Sequence, residues 1–334
     1  MKIQTISLAV VTILKDGEFP SFKEVLDTVI REKQVKKFIV ASLDTKHMNE
    51  LLFLSKLYKE KLVLINSQHL ARGEALFRAY EELKKYTFDY VLMLDGESAP
   101  EDNWVELYLS NLKYFKEEER ERIIMIGNTV DIFDNENTFY QSGEASLLRD
   151  DTLFDLLSFN KLRVFFKHFV SKGTGSQKPV FKTVASIGNG AFIPYSAILK
   201  TESPDRNLSY FGEDTDFAWK IKKNGYSFFK CTHPVLRKPS TKKEINKSFN
   251  LFSDKMSNEE VYRHMMNSVV ISRRHSSQNG ITLFCNIMAR VFVVFSIGLI
   301  QAPVFKLMFK RMFFIAKAVV DGYKTPLKNN MNAN

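Results

Sequence analysis

Four short apolar, β-branched runs punctuate the first hundred positions: residues 6–13, FIVASLD at 38–44, LVLIN at 62–66 and YVLMLD at 90–95. Between them lie SFKEVLDTVIREK, MNELLFLSKLYKEK and ARGEALFRAYEELKKY, each with apolar residues at helical spacing. Strand-length runs separated by helical stretches of ~10 to 16 residues predict βαβ units on a largely parallel sheet, an α/β fold. Such a sheet takes its ligand beyond the carboxyl ends of the strands. Asp44, Asn66 and the Asp95 cluster directly follow their runs and are expected along that one edge.

Further along, IIMIGNTVDIF predicts another strand, and 141–178 reads as a polar excursion over the sheet edge. DTDFAWKIKKNG predicts a helix with a glycine stop; its acids come first and its lysines last, as the helix dipole prefers. That places Glu213 and Asp214 at a helix entrance. From about 258 the character changes, which divides the chain into a domain at 1–257 and a helical, basic region at 258–334. The stretch VFVVFSIGLIQAPVF, interrupted by Gln301 and Pro303, is shorter than the ~20 residues that cross a bilayer. In FKLMFKRMFFIAKAVV, Lys306, Lys310, Arg311 and Lys317 recur among Phe and Met, predicting an amphipathic helix whose basic face meets an anionic membrane surface. Two ordinary core helices are the alternative.

The excess of 48 Lys+Arg over 38 Asp+Glu calls for an anionic partner. The cations gather in an apolar tail without a nucleic-acid reading module, which argues against nucleic acid. Cys231 and Cys285 stand far apart with no metal-ligand spacing, so neither a disulfide scaffold nor a structural zinc site is expected. The N-terminus lacks a small-residue cleavage site and reads as a strand, which predicts a cytoplasmic protein.

Asp95 and Glu97, one residue apart at a strand end, can both turn toward a hard divalent cation, Mg²⁺ or Mn²⁺; Asp, Gly, Glu and Ser are equally ordinary turn residues. Glu213, Asp214 and Asp216 crowd a helix start where capping explains one acid and leaves another to act as a general base. His233 follows a strand-like run and can offer an imidazole to the same cation. Arg72, beside Gly73 at a helix start, can face a phosphate or simply be solvated.

The order of these pieces resembles glycosyltransferase family 2. The pieces are an N-terminal αβ half, Asn66 followed by Ala71-Arg72-Gly73, an apolar run into Asp95-Gly96-Glu97, and Gly188-Asn189-Gly190. The Glu213-Asp214-x-Asp216-Phe217 segment and His233 follow. It looks most like the bacterial rhamnosyl- and galactofuranosyltransferase branch, whose Tyr-Arg-x-x-x-Asn helix and terminal Asp-Gly are matched by Tyr262, Arg263, Asn267, Asp321 and Gly322.

The resemblance implies a GT-A fold, a Rossmann-like nucleotide-sugar-binding sheet flanked by helices, with a C-terminal amphipathic, membrane-associating tail. It implies an inverting glycosyltransferase taking a UDP- or dTDP-linked sugar to a glycan or polyprenyl-linked glycan in bacterial surface polysaccharide synthesis. The chain would then lie on the inner face of the cell membrane, with a homo-oligomer left open. Asp95 and Glu97 stand where the family's Asp-x-Asp holds Mg²⁺ or Mn²⁺ on the diphosphate, and His233 where some members add a ligand. Asp214, beside Glu213, stands for the base. Thr12, Asp44, Asn66, Arg72 and Gly96 fall on the donor side; Gly188, Asn189, Gly190 and Trp219 fall near the sugar and acceptor. Gly96 departs from the usual central acid, and the exit of the first strand from the usual Tyr-Asn. A nucleotidyltransferase or a non-catalytic membrane-associated scaffold are the rival readings; the first would need an early Gly-rich loop, which LKDGEFPSFKE does not offer.

Overall fold

The computed structural model describes residues 6–131, 179–183, 187–208, 212–238, 256–276, 280–281, 283–285, 287–288, 291 and 305–327. Two compact units are resolved: the first comprises Met1–Leu147, Gly175–Leu208 and Glu213–Ile245, the second Leu148–Thr174, Ser209–Gly212 and Asn246–Asn334.

In the first unit the expected alternation is present. Strands β1 (Leu8–Leu14), β2 (Val35–Ser42), β3 (Leu62–Asn66) and β4 (Tyr90–Asp95) are joined by helices α1 (Phe19–Arg31), α2 (Met48–Leu57) and α3 (Arg72–Leu83). All four strands pair in parallel, β1 lying between β2 and β4. Strand order across the sheet is β3-β2-β1-β4-β8-β6-β9-β5, with β5 (Ala99–Pro100), β6 (Ile123–Asp131), β8 (Ala191–Pro194) and β9 (Ser227–Lys238); β7 (Val180–Lys182) pairs with β9. The sheet is less parallel than the sequence pattern suggests. β8 runs antiparallel to both β4 and β6, and β5 and β7 run antiparallel to β9. Beyond the first four strands, whose helical crossovers bring them side by side in parallel, β6 and β9 form the one further parallel pair among the described residues.

β1 is buried along its whole length. Its alternate residues serve two layers, as the period of two demands. Val11 and Ile13 pack with Leu76 and Tyr80 of α3 and with Phe217 and Ile221 of α7 (Glu213–Lys223). Val10 and Leu14 pack with Phe22 and Val25 of α1 and with Trp104 and Tyr108 of α4 (Trp104–Leu112). A short α5 (Glu117–Arg120) and α6 (Tyr195–Lys200) complete this unit. Cys231 is buried, its thiol pushed up to about 12 by burial, and Cys285 is also a free cysteine. The polar excursion expected at 141–178 lies outside the described residues.

In the second unit, α8 (Asn258–His275) and α9 (Phe305–Lys324) pack through Val261, Met265, Val269, Ile315, Ala318 and Val319. Ser257 caps α8 reciprocally with Glu260, at 3.1 and 2.6 Å. The Tyr262 hydroxyl donates to Asp321 at 2.7 Å. At Gly322 a Cβ would lie 2.9 Å from that of Val269, so the terminal Asp-Gly is where α9 docks closely on α8. Arg311, expected on a basic surface, is only 2% exposed. Its guanidinium donates to the Ser257 carbonyl at 2.7 Å and to that of Met256, the carbonyls entering α8. The exposed face of α9 carries Phe309, Lys310, Phe313 and Lys317 instead. Among the described residues no helix is long and apolar enough to cross a membrane.

Candidate functional site

At the carboxyl edge of β1 and β4 an open cleft is lined by Ile13, Arg72, Leu76, Met93, Leu94, Asp95, Ile187, Gly188, Glu213 and Asp214. Five separate chain segments meet there because the parallel strands end on one side, as open α/β sheets arrange their sites.

Asp95 is the last residue of β4, and its N–H donates to the Asn189 amide oxygen at 3.1 Å. The Asn189 amide donates in turn to Ser98 Oγ at 2.8 Å, while the Ser98 N–H closes the turn on the Asp95 carbonyl at 3.2 Å. One asparagine thus ties the acidic turn to the Gly188-Asn189-Gly190 loop. Gly190 has φ +79°, and an added Cβ there would lie 2.2 Å from Leu236 Cδ1. Its carbonyl accepts a 2.6 Å hydrogen bond from the buried Tyr108 hydroxyl, and its N–H bonds the Met93 carbonyl at 2.8 Å. The loop is therefore braced from α4, from β4 and by the side chain of β9.

Gly96 lies against two side-chain ends. A Cβ there would meet Leu14 Cδ1 at 2.8 Å and Glu18 Oε2 at 2.9 Å. The nearly buried Glu18 is held by the Lys15 N–H at 3.0 Å and the Lys15 ammonium at 3.2 Å. The cation that meets the acidic turn is Lys238, the last residue of β9. It pairs with Glu97 and stands 4.0 Å from Asp95 Oδ2. Burial opposes its charge, but hydrogen bonding to Glu97 and the fields of Asp95, Glu97 and Glu18 hold it above the ordinary lysine range.

Across the cleft, Glu213 and Asp214 open α7. Glu213 is 1% exposed and pairs with Arg72 at 2.5 Å. Burial drives the Glu213 carboxyl up to about 7, against the pull of Arg72 and with the push of Asp214. Burial disfavours the Arg72 charge as well, yet Glu213, Asp214, Asp95 and Glu18 outweigh it and raise the guanidinium further. Asp214 is half-buried in the cleft wall; its Oδ1 accepts the Thr215 N–H at 2.7 Å, which leaves Oδ2 outside that bond. Gly73 lets this corner close: its N–H donates to the Leu208 carbonyl at 3.0 Å, and a Cβ would meet that oxygen at 2.2 Å.

Other expected residues fall outside the cleft wall. Asp44 is fully buried after β2, accepting the Lys46 and His47 N–H groups at 2.7 and 2.9 Å and facing His47 Nδ1 at 3.0 Å. Burial resists its ionisation, and the His47 N–H and imidazole with the Lys46 N–H offset this, so its carboxyl lies below the ordinary aspartate range. The His47 ring, stacked on Phe19 at 4.5 Å, is the more exposed face of that pair. Asn66 ends β3 and holds the Gln68 N–H at 3.1 Å. Thr12 is fully buried and shares its side of β1 with Val10 and Leu14, opposite Ile13, which lines the cleft. Trp219 packs on the core beside Leu76 and Phe217, under Lys222 at 4.6 Å, and is absent from the cleft lining.

His233 is also placed differently. Its Nδ1 faces Glu101 at 3.0 Å, and that carboxylate accepts the Val235 N–H at 2.7 Å. Among the described residues no three His, Cys, Asp or Glu side chains converge as a metal group. Asp95 and Glu97 alone, 28% and 21% exposed, still form an oxygen donor pair suited to Mg²⁺ or Mn²⁺ with water or phosphate completing the shell. Lys238 and Glu18 were not legible as site residues. Lys238 sits in a polar, lysine-rich run that reads as a solvated face, and Glu18 in a turn.

No protein-family model matches the chain, and no curated protein sequence matches it. Solved structures do. GalNAc-T7 with UDP, GalNAc and Mn²⁺ is similar at a TM-score of 0.53 and 12% identity, over 82% of this chain and 48% of that one. S. aureus TarS 1-349 in complex with UDP-GlcNAc is similar at 0.53 and 12%, over 96% and 81%. The chain thus spans about half the length of the first and most of the second. At these identities the likeness is one of fold, and the mixed α/β sheet described above is the GT-A fold of those glycosyltransferases.

Proposed function

We propose that the chain is an inverting glycosyltransferase of the family 2 kind, moving a sugar from a UDP- or dTDP-linked donor to a hydroxyl of a glycan or polyprenyl-linked glycan in surface polysaccharide synthesis. The observation that carries this reading is one cleft in which Asp95, on the donor side, faces Arg72, Gly188 and a half-buried Asp214. The similar structures bearing UDP and UDP-GlcNAc support a nucleotide-sugar donor.

The chemistry asks little of the protein beyond position and charge. Arg72, held in place by Glu213, presents positive charge to the donor's diphosphate. The braced Gly188-Asn189-Gly190 loop lets backbone approach the sugar closely. Asp214 takes the proton of the acceptor hydroxyl as its oxygen bonds to the anomeric carbon; the bond to the diphosphate breaks on the opposite face, inverting the configuration. A Mg²⁺ or Mn²⁺ ion held by Asp95 and Glu97 would neutralise charge on the diphosphate leaving group.

The region 258–334 is proposed to attach peripherally to the inner face of the membrane, supported by Phe309 and Phe313 exposed beside Lys310 and Lys317 on α9. The test of the catalytic reading is a panel of nucleotide sugars with purified protein, with and without Mn²⁺. Donor-specific thermal stabilisation followed by sugar transfer is expected; stabilisation by none of the panel would refute it.

A further inference from the structure

The acidic turn is already served by a cation of the chain's own. β9 is held on both sides near its end, parallel to β6 with Asp131 opposite Lys238, and antiparallel to β5 with Ala99 opposite Arg237 and Pro100 opposite Leu236. The strand therefore delivers Lys238 to the turn by its register. Its ammonium pairs with Glu97 and reaches to 4.0 Å from Asp95, and the three side chains are between 21% and 32% exposed. An ammonium is a compact point charge with three donors, so it can occupy the space between two carboxylates that a hard metal ion would take.

We propose that Lys238 is the resident counter-ion of the Asp95–Glu97 pair, competing with a divalent metal for those carboxylates and supplying positive charge to a nucleoside diphosphate when metal is absent. Arg72 lines the same cleft but forms its ion pair with Glu213, at 2.5 Å. The competing account, an ordinary surface ion pair, predicts at most a small, salt-screened change in metal affinity and none in metal-free UDP binding.

The inference rests on the reading of Asp95 and Glu97 as donor-side ligands, and its test separates the two. Mn²⁺ binding to nucleotide-free protein is measured by electron paramagnetic resonance and calorimetry for wild type, Lys238→Met, Lys238→Arg and Asp95→Asn. Loss of one fixed positive charge beside the carboxylates is expected to tighten Mn²⁺ binding by about tenfold or more in Lys238→Met. Lys238→Arg should stay near wild type, and Asp95→Asn should lose binding. A merely structural lysine would weaken the site or leave it unmoved. In chelator, UDP is expected to bind Lys238→Met about tenfold more weakly than wild type. Mn²⁺ affinity in Lys238→Met that is unchanged or weaker, or no Mn²⁺ binding to either protein, overturns the proposal. Unchanged metal-free UDP binding overturns its second half. Wild-type protein that binds Mn²⁺ but neither UDP nor dTDP sinks the glycosyltransferase reading and leaves the competition result standing.

Discussion

Removing the charge of Glu213 should stabilise the protein at alkaline pH, although the residue forms a buried ion pair. Glu213 is 1% exposed, and burial raises its carboxyl from the ordinary 4.5 to about 7 despite Arg72 at 2.5 Å. Between those values the unfolded chain has released the proton and the folded protein still holds it, so stability falls as pH rises from about 4.5 to about 7 and is lowest above it. At roughly 1.4 kcal/mol per pH unit the loss reaches about 3 kcal/mol. Glu213→Gln resembles the protonated acid at every pH. The variant should match wild type at pH 5 and exceed it at pH 8 by up to about 3 kcal/mol, a Tm gain on the order of 6 °C. The assay is thermal unfolding of both proteins across pH 5 to 8; titrating groups remote from Glu213 cancel in the difference. A variant less stable than wild type at pH 8 would refute the reasoning, because Arg72 would then outweigh desolvation and Glu213 would be ionised at a net gain.

Asp214→Asn should lower transfer by about 10² to 10⁴-fold while leaving donor affinity near wild type, since the amide cannot take the acceptor's proton; kinetics beside calorimetry separate the two. Gly73→Ala places a methyl group 2.2 Å from the Leu208 carbonyl oxygen, forcing α3 to shift. It should cost about 1 to 3 kcal/mol by denaturant unfolding and weaken donor binding through Arg72. Arg311→Met leaves the Ser257 and Met256 carbonyls without their donor, so it should cost about 1 to 3 kcal/mol and speed amide exchange in the first turn of α8. It should leave flotation with anionic liposomes unchanged, whereas Lys310→Met and Phe313→Ser should reduce it. Arg311→Met that also abolishes flotation would return this side chain to the basic surface.

The first half of the fold is readable because β1 to β4 and their helices carry strong periodic signals, and the parallel arrangement follows from the helical crossovers. The antiparallel entry of β8 is not readable, since a four-residue run such as AFIP carries no direction. At the site, Asp95, Glu97, Gly188 and Asp214 are legible because they flank strand and helix ends that share an edge. The layer that Thr12 faces, opposite Ile13, is not legible because an unbroken apolar run does not mark which side of the strand meets the cleft. Arg311 reads as surface because it recurs in an amphipathic pattern, and Lys238 gives no local signal at all. Their partners are carbonyls and carboxylates distant in sequence, which no local pattern records.

The absence of a side chain at Gly96 also constrains how this sequence can change over time. Leu14, Glu18 and Gly96 share one volume, so an aspartate introduced at 96 meets a methyl group and a carboxylate already in place and requires those side-chain ends to shift. Substitutions that share a contact do not add. Changes at 14, 18 and 96 are therefore expected to be coupled, the effect of each depending on which residues stand at the other two.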